Sequence, residues 1–252
     1  MEQIVMFNIS IDNLTLDEAC NQILLFAEKR EIKRYVVTPN VDHLVKLRKD
    51  KEFQRIYENA SLVLADGMPL IWASKLLKQP LKEKVSGSDL FPLICEKASH
   101  KNMKLFFLGG EEGVAHKAAL VLKKKYPNIN IVGIYSPPFG FEKSESENRK
   151  IINMINKAEP DLLFVGLGAP KQEKWIYKYM GDFNVPVSLA IGASFDFVAG
   201  TKKRAPKWMQ KSGLEWLWRF CLEPKRLAKR YFVDGFQFFN LFLYEVSTRK
   251  RK

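Results

Sequence analysis

Two stretches decide the fold: Lys104-Leu105-Phe106-Phe107-Leu108-Gly109-Gly110-Glu111-Glu112-Gly113, and Leu162-Leu163-Phe164-Val165-Gly166-Leu167-Gly168-Ala169-Pro170-Lys171-Gln172-Glu173. In each, an apolar run meets a glycine turn and an amphipathic segment follows. A strand with one face in water alternates apolar and polar residues. One that is apolar throughout is buried on both faces, as in a parallel sheet covered by helices. Working outward, short β-rich runs recur at 4–9, 34–38, 61–65, 129–135 and 186–190, and amphipathic segments lie at 15–29, 89–100, 113–125, 144–157 and 171–180. This alternation predicts an α/β fold, a Rossmann-like, mostly parallel sheet with helices on both faces. Thr15 with Glu18, and Ser144 with Glu147, have the spacing of capping boxes at two of the helix starts.

Ligands of such sheets bind outside the carboxyl ends of the strands. The residues there are Pro39-Asn40-Val41-Asp42, Asp66-Gly67-Met68-Pro69, Gly109-Gly110, Pro137-Pro138-Phe139-Gly140, Gly166-Leu167-Gly168 and Gly192-Ala193-Ser194-Phe195-Asp196. Gly109-Gly110, between strand and helix, suits a phosphate received by backbone N–H groups. It lacks the full spacing of a dinucleotide fingerprint, and no acid follows the next strand to hold a ribose, so a nicotinamide enzyme is a distant alternative. Gln172 and Glu173, just past Gly168 and Pro170, are either readers of a base or sugar or parts of a plain tight turn. Asp66 is the strongest single acid and a candidate general base; Asp42 and Asp196 are its rivals, unless each merely caps a helix or turn. His43, His100 and His116 have no ligand spacing, and the chain contains no Asp-x-Asp pair, so no metal site is expected.

The formal charge of +13 is unevenly spread: residues 1–200 hold 27 Lys and Arg against 24 Asp and Glu, and residues 201–252 hold 14 against 4. The same C-terminal fifth carries 11 of the 31 aromatic residues and reads as purely helical. Basic residues interleaved with rings suit a nucleic acid or a membrane interface. A core helix with a solvated basic tail is the bland alternative. A nucleic-acid module would leave the glycine turns and strand-end acids without a task, so no nucleic-acid partner is expected. Segment 236–246 is broken by Gln237, Asn240 and Glu245 and falls short of the roughly 20 apolar residues of a bilayer span, so it is expected to lie on a membrane. Residues 1–10 lack the features of an export signal. Cys20, Cys95 and Cys221 read as reduced core residues.

Taken together, Thr38-Pro39-Asn40 with Asp42, Ala65-Asp66-Gly67, Gly87 with Asp89, Phe107-Leu108-Gly109-Gly110, Gly168-Ala169-Pro170-Lys171-Gln172-Glu173-Lys174-Trp175, Phe195-Asp196 and Arg204-Ala205-Pro206 running into Leu214-Glu215-Trp216-Leu217 and Arg219 resemble the WecG/TagA/CpsF glycosyltransferases. The resemblance spans about residues 15–231. It implies an inverting transfer of N-acetylmannosamine, without metal or other cofactor, from its UDP conjugate to the 4-hydroxyl of N-acetylglucosamine on undecaprenyl diphosphate. It makes Asp66 the base and places Thr38, Asn40, Asp42, Gly109, Gly110, Gly168, Pro170, Gln172, Glu173 and Asp196 near the sugars or the nucleotide. Arg204, Arg219, Arg226 and Arg230 would meet lipid diphosphate or membrane. Residues 1–200 become a nucleotide-sugar-binding catalytic domain, and residues 201–252 a basic, aromatic appendage on the inner face of the cell membrane. The resemblance also implies self-association in solution. A uronic acid, glucose or galactose donor is the alternative within the family. Lys84 stands where the family pattern has Arg, as does Lys229, and lysine cannot make a planar bidentate contact with phosphate.

Overall fold

The computed structural model describes residues 1–249, with all of their side chains but those of Lys211, Arg226, Lys229, Arg230 and Tyr231. Its centre is a six-stranded sheet in the order β4-β3-β8-β7-β5-β6. The strands are β3 (Arg34–Val37), β4 (Leu62–Val63), β5 (Lys104–Gly109), β6 (Asn130–Tyr135), β7 (Leu162–Gly166) and β8 (Val187–Ala190). All neighbours pair in parallel. One face is covered by α1 (Leu16–Lys29), α5 (Gly87–Ser99), α6 (Val114–Lys125) and α9 (Ser194–Ala199). The other is covered by α2 (Val41–Leu47), α3 (Lys51–Glu58), α4 (Met68–Leu76), α7 (Glu145–Ala158) and α8 (Lys171–Tyr179). The doubly covered parallel sheet is therefore present, and β5 and β7 are buried on both faces as their apolar runs require.

The sequence pattern and the structure differ in places. The run at 4–9 is not one strand but a hairpin of β1 (Gln3–Met6) and β2 (Ile9–Asp12). Phe7 and Asn8 form its turn with φ of 55° and 61°, the mirror-image turn that matches strand twist. Asp12 accepts the Val63 N–H at 2.8 Å and so ties the hairpin to β4. Thr15 and Glu18 make both halves of their capping box. Ser144 makes only its own half, because the Glu147 carboxylate turns to the Tyr135 hydroxyl instead. Cys20 and Cys95 are buried, but Cys221 is exposed and not a core residue.

The C-terminal segment forms α10 (Lys207–Lys211), α11 (Glu215–Leu222) and α12 (Pro224–Arg249). Helix α12 is not a detached appendage. Leu241 is buried in the same core as the sheet, Phe238 packs on Phe7 with ring centroids 5.4 Å apart, and Glu245 accepts the Phe7 N–H at 3.2 Å. The expected apolar stripe is thus divided. Phe238, Leu241 and Phe242 face the body of the protein, while Phe232, Phe236, Phe239 and Leu243 form an exposed face, each 50–75% accessible. None of the described helices is long and apolar enough to cross a membrane.

Between α5, α9 and the sheet, Phe91 meets Phe107, Phe164 and Phe195 at centroid distances of 4.9–5.3 Å in edge-on geometry. Aromatic pairs prefer this arrangement, and no cavity-free truncation exists at its centre. Phe91→Ala is expected to lower unfolding free energy by about 3–5 kcal/mol in a denaturant titration.

Candidate active site

A cavity of about 1820 Å³ opens at the carboxyl end of the sheet, floored by the strand-end turns and walled on its outer side by α10, α11 and α12. Its floor follows from local sequence. Asn40, three residues past the end of β3, caps α2, its side chain accepting from the His43 N–H at 3.3 Å, so Thr38 and Asn40 sit at the rim of the sheet. Gly67, with φ of 115°, turns the chain from β4 into α4 and leaves Asp66 on the cavity floor, its own N–H bound to the Pro39 carbonyl at 2.8 Å.

Burial pushes the Asp66 carboxyl up to about 6, against the pull of Lys84 and Arg219 and with a further push from Glu215 and Asp89. Those four neighbours form one network with Arg204. Asp89 accepts from Arg204 at 2.7 Å, Lys84 at 3.0 Å and Ser86 at 2.6 Å. Burial works against ionisation there too, but these contacts hold Asp89 down to about 2. Glu215 of α11 lies 2.9 Å from Arg219, 3.5 Å from Arg204 and 4.0 Å from Lys84. Both guanidinium groups also rest over the Phe197 ring, at 5.0 Å for Arg219 and 5.8 Å for Arg204. Arg219, which lines the cavity, has its Nε buried without a hydrogen-bond acceptor, which leaves donor capacity for an anion there; Arg204 Nε and Nη2 also have none, but Arg204 lies behind the lining. Lys84, where the sequence pattern led one to look for Arg, is therefore inside the site. Its ammonium is a point charge shared by Asp89 and Glu215, and no bidentate fork is needed there.

The other expected residues divide into three groups. Thr38, Asn40, Asp42, Gly110, Gly168, Gln172 and Asp196 line the cavity. Asp42 is paired with Lys46 at 2.8 Å and Asp196 with Lys202 at 3.2 Å. Gly109 and Pro170 lie behind the lining. Gly109 is required because a Cβ there would come within 2.5 Å of the Gly166 carbonyl oxygen. Glu173, expected to contact a substrate, is instead fully buried and off the cavity wall, and burial pushes its carboxyl up to about 7. The side chains of Arg226 and Arg230 lie outside the described residues.

Sequence reasoning missed Glu215 and Phe197, whose roles depend on α9 and α11 meeting across the cavity. It also missed the apolar side of the wall, where Met68 and Trp72 of α4 pack on Gly213 and where Trp216, Leu227 and Phe238 face the same space. Among the described residues no group of three or more His, Cys, Asp or Glu side chains is placed to hold a metal ion. The assembled groups amount to a carboxylate that can take a proton near neutral pH, cations poised for an anion, and a broad polar and apolar space between them.

Comparison with known proteins agrees with this chemistry. The profile of the glycosyl transferase WecG/TagA/CpsF family matches residues 4–252. The N-acetylglucosaminyldiphosphoundecaprenol N-acetyl-beta-D-mannosaminyltransferase of Staphylococcus aureus strain NCTC 8325 / PS 47 is 31% identical over 246 residues, covering 97% of this chain and 92% of that one. The proteins of the same name from strains COL and MRSA252 match equally, at 31% identity. The chain belongs to the WecG/TagA/CpsF family and is a glycosyltransferase.

Proposed function

We propose that this enzyme transfers N-acetylmannosamine from UDP-N-acetylmannosamine to the 4-hydroxyl of N-acetylglucosamine carried on undecaprenyl diphosphate, with inversion and without a divalent ion, as a step of wall teichoic acid linkage-unit synthesis. The observation that carries this reading is Asp66 on the cavity floor, where Lys84 and Arg219 are the cations that act on it. The Staphylococcus aureus relatives supply the acceptor and the sugar by their name. Asp66 takes the acceptor hydroxyl proton as that oxygen forms its bond to the anomeric carbon. The bond from that carbon to the β-phosphate oxygen breaks on the opposite face, and UDP leaves with the electron pair. Arg219 and Lys84 receive the developing charge, with Arg204 behind them, the task that a metal performs in many other transferases. A different UDP-sugar on the same machinery is the second reading.

The deciding experiment is UDP release from UDP-N-acetylmannosamine in the presence of EDTA, with and without a GlcNAc-diphosphate-lipid. Release that depends on the acceptor is expected. Release only from UDP-glucose, UDP-galactose or the uronic acid donor would move the assignment to that sugar, and release abolished by EDTA would overturn the metal-free reading.

Asp66 works as a base only when ionised. Its raised value of about 6 means that kcat/KM holds above that pH and falls below it, by about tenfold for each further unit. Asp66→Asn is expected to lower turnover by roughly 10² to 10⁴-fold with folding retained. Unchanged turnover would remove the assignment.

The membrane contact is proposed for the exposed face of α12, with the basic residues of the C-terminal segment drawn to an anionic leaflet. In solution the same face would be covered by a second copy. Phe236→Ser/Phe239→Ser is expected to weaken co-sedimentation with anionic vesicles by more than about tenfold, since each buried ring is worth about 1.5–3 kcal/mol. It should also shift sedimentation in the absence of lipid towards the monomer.

A further inference from the structure

The turns after β7 and β8 stand side by side at the mouth of the cavity, and one side chain joins them. Gln172 Oε1 accepts the Gly168 N–H at 3.2 Å and the Gly192 N–H at 3.0 Å. Both glycines are in the left-handed region, with φ of 77° and 56°. An amide oxygen has two lone pairs, and both are occupied here. The Gln172 oxygen, although on the cavity wall, has no lone pair left for a substrate. Its nitrogen donates to Glu173 Oε1 at 2.8 Å, and Glu173 is wholly buried with Oε2 unpartnered.

We propose that Gln172 and Glu173 are positioning residues: Glu173 fixes which way the Gln172 amide points, and the amide oxygen then fastens the Gly168 turn to the Gly192 turn in the geometry that receives the donor. The argument is one of orientation. A flipped Gln172 amide would set its NH₂ against two backbone N–H groups and its oxygen against the Glu173 carboxyl. Three attractive contacts would become three repulsive ones, so the buried acid selects a single orientation. The turns concerned open α8 and α9, and the first helical segments carry the residues that face the ligand, including Asp196 and Phe197. Phe197 in turn supports both guanidinium groups. Two glycine turns free to move independently would present a broader range of shapes to the donor, and the cost would fall on its binding.

This inference rests on the donor reading only for its kinetic arm. The test uses the full chain with Glu173→Leu, Glu173→Gln and Gln172→Met. Glu173→Gln keeps the acceptor oxygen and replaces only the unpartnered one. In the unliganded protein, Glu173→Leu is expected to speed hydrogen exchange at the Gly168 and Gly192 amides by about tenfold, the worth of one buried hydrogen bond. The donor KM is expected to rise by a similar factor, about tenfold, while kcat stays within about threefold. Glu173→Gln should restore both readouts. Parental exchange rates in Glu173→Leu would overturn the proposal, as would a Glu173→Gln protein that behaves like Glu173→Leu. Should the leucine variant fail to fold, Gln172→Met removes the shared acceptor and leaves the acid in place. Faster exchange at both glycines then supports the fastening. A raised donor KM with unchanged exchange would make Gln172 a direct substrate contact and overturn it. A donor other than UDP-N-acetylmannosamine would alter the kinetic arm alone, and the exchange arm would still decide.

Discussion

Everything at the functional end of this protein depends on how closely β5 and β7 approach where their carboxyl ends meet. Gly109 and Gly166 are register partners, and the Gly110 N–H bonds to the Gly166 carbonyl at 2.8 Å. A Cβ on Gly109 would lie 2.5 Å from that carbonyl oxygen, and one on Gly166 would lie 2.8 Å from the Phe195 ring. Side chains at either position would hold the strands or α9 away. With glycine at both, Phe195 slides beneath the strand ends and completes the aromatic cluster of the lower layer, and α6, α8 and α9 all start from one narrow rim. The cavity floor is the consequence of that packing.

Upon this floor the electrostatics are arranged in opposition. Burial is the largest influence on the Asp66 carboxyl and raises it, while neighbouring cations work the other way. Lys84 and Arg219 pull it down, while Glu215 and Asp89 push it up by sharing those cations. Glu215 therefore has two effects: it holds Arg204, Arg219 and Lys84 together, and it keeps them from overstabilising the Asp66 carboxylate. On the proposed function, an incoming diphosphate would compete with Glu215 for the same cations, so charge balance in the empty site and in the loaded site would be kept by different anions.

The strands and long helices were legible because their signals are local. Apolar runs such as 104–108 and the Thr15–Glu18 box need no knowledge of the rest of the chain. The hairpin was not legible, since its turn uses Phe7 and Asn8 in left-handed geometry without a glycine. Helices α2, α4 and α9 escaped notice because they are 7, 9 and 6 residues long and begin inside the strand-end turns that drew attention as motifs. Asp66 was legible from its place at a strand end. Burial of Glu173 was not, because a carboxylate beside an amide in a turn looks the same in sequence whether it faces a ligand or the core. The role of Glu215 was hidden for another reason: its partner Lys84 is far away in sequence and meets it only once α11 closes over the sheet.

Helix α12 belongs at once to the cavity wall, the core and the outer surface. On one side Leu227 and Phe238 wall the cavity, and Leu241 joins the core. On the other, Phe236 and Phe239 are exposed within one turn of those same residues. Glu245, which breaks the apolar pattern in the sequence, is the residue that satisfies the hairpin's Phe7 N–H, so the far end of the helix is clamped to the N-terminus of the chain. Removing the helix would bare the core beneath it and open the cavity together. The outer rings thus stand on an element whose inner face shapes the cavity and whose far end is held by Glu245. The same helix packs against α11, which carries the Glu215–Arg219 pair. The exposed rings and part of the cavity wall therefore belong to one helix.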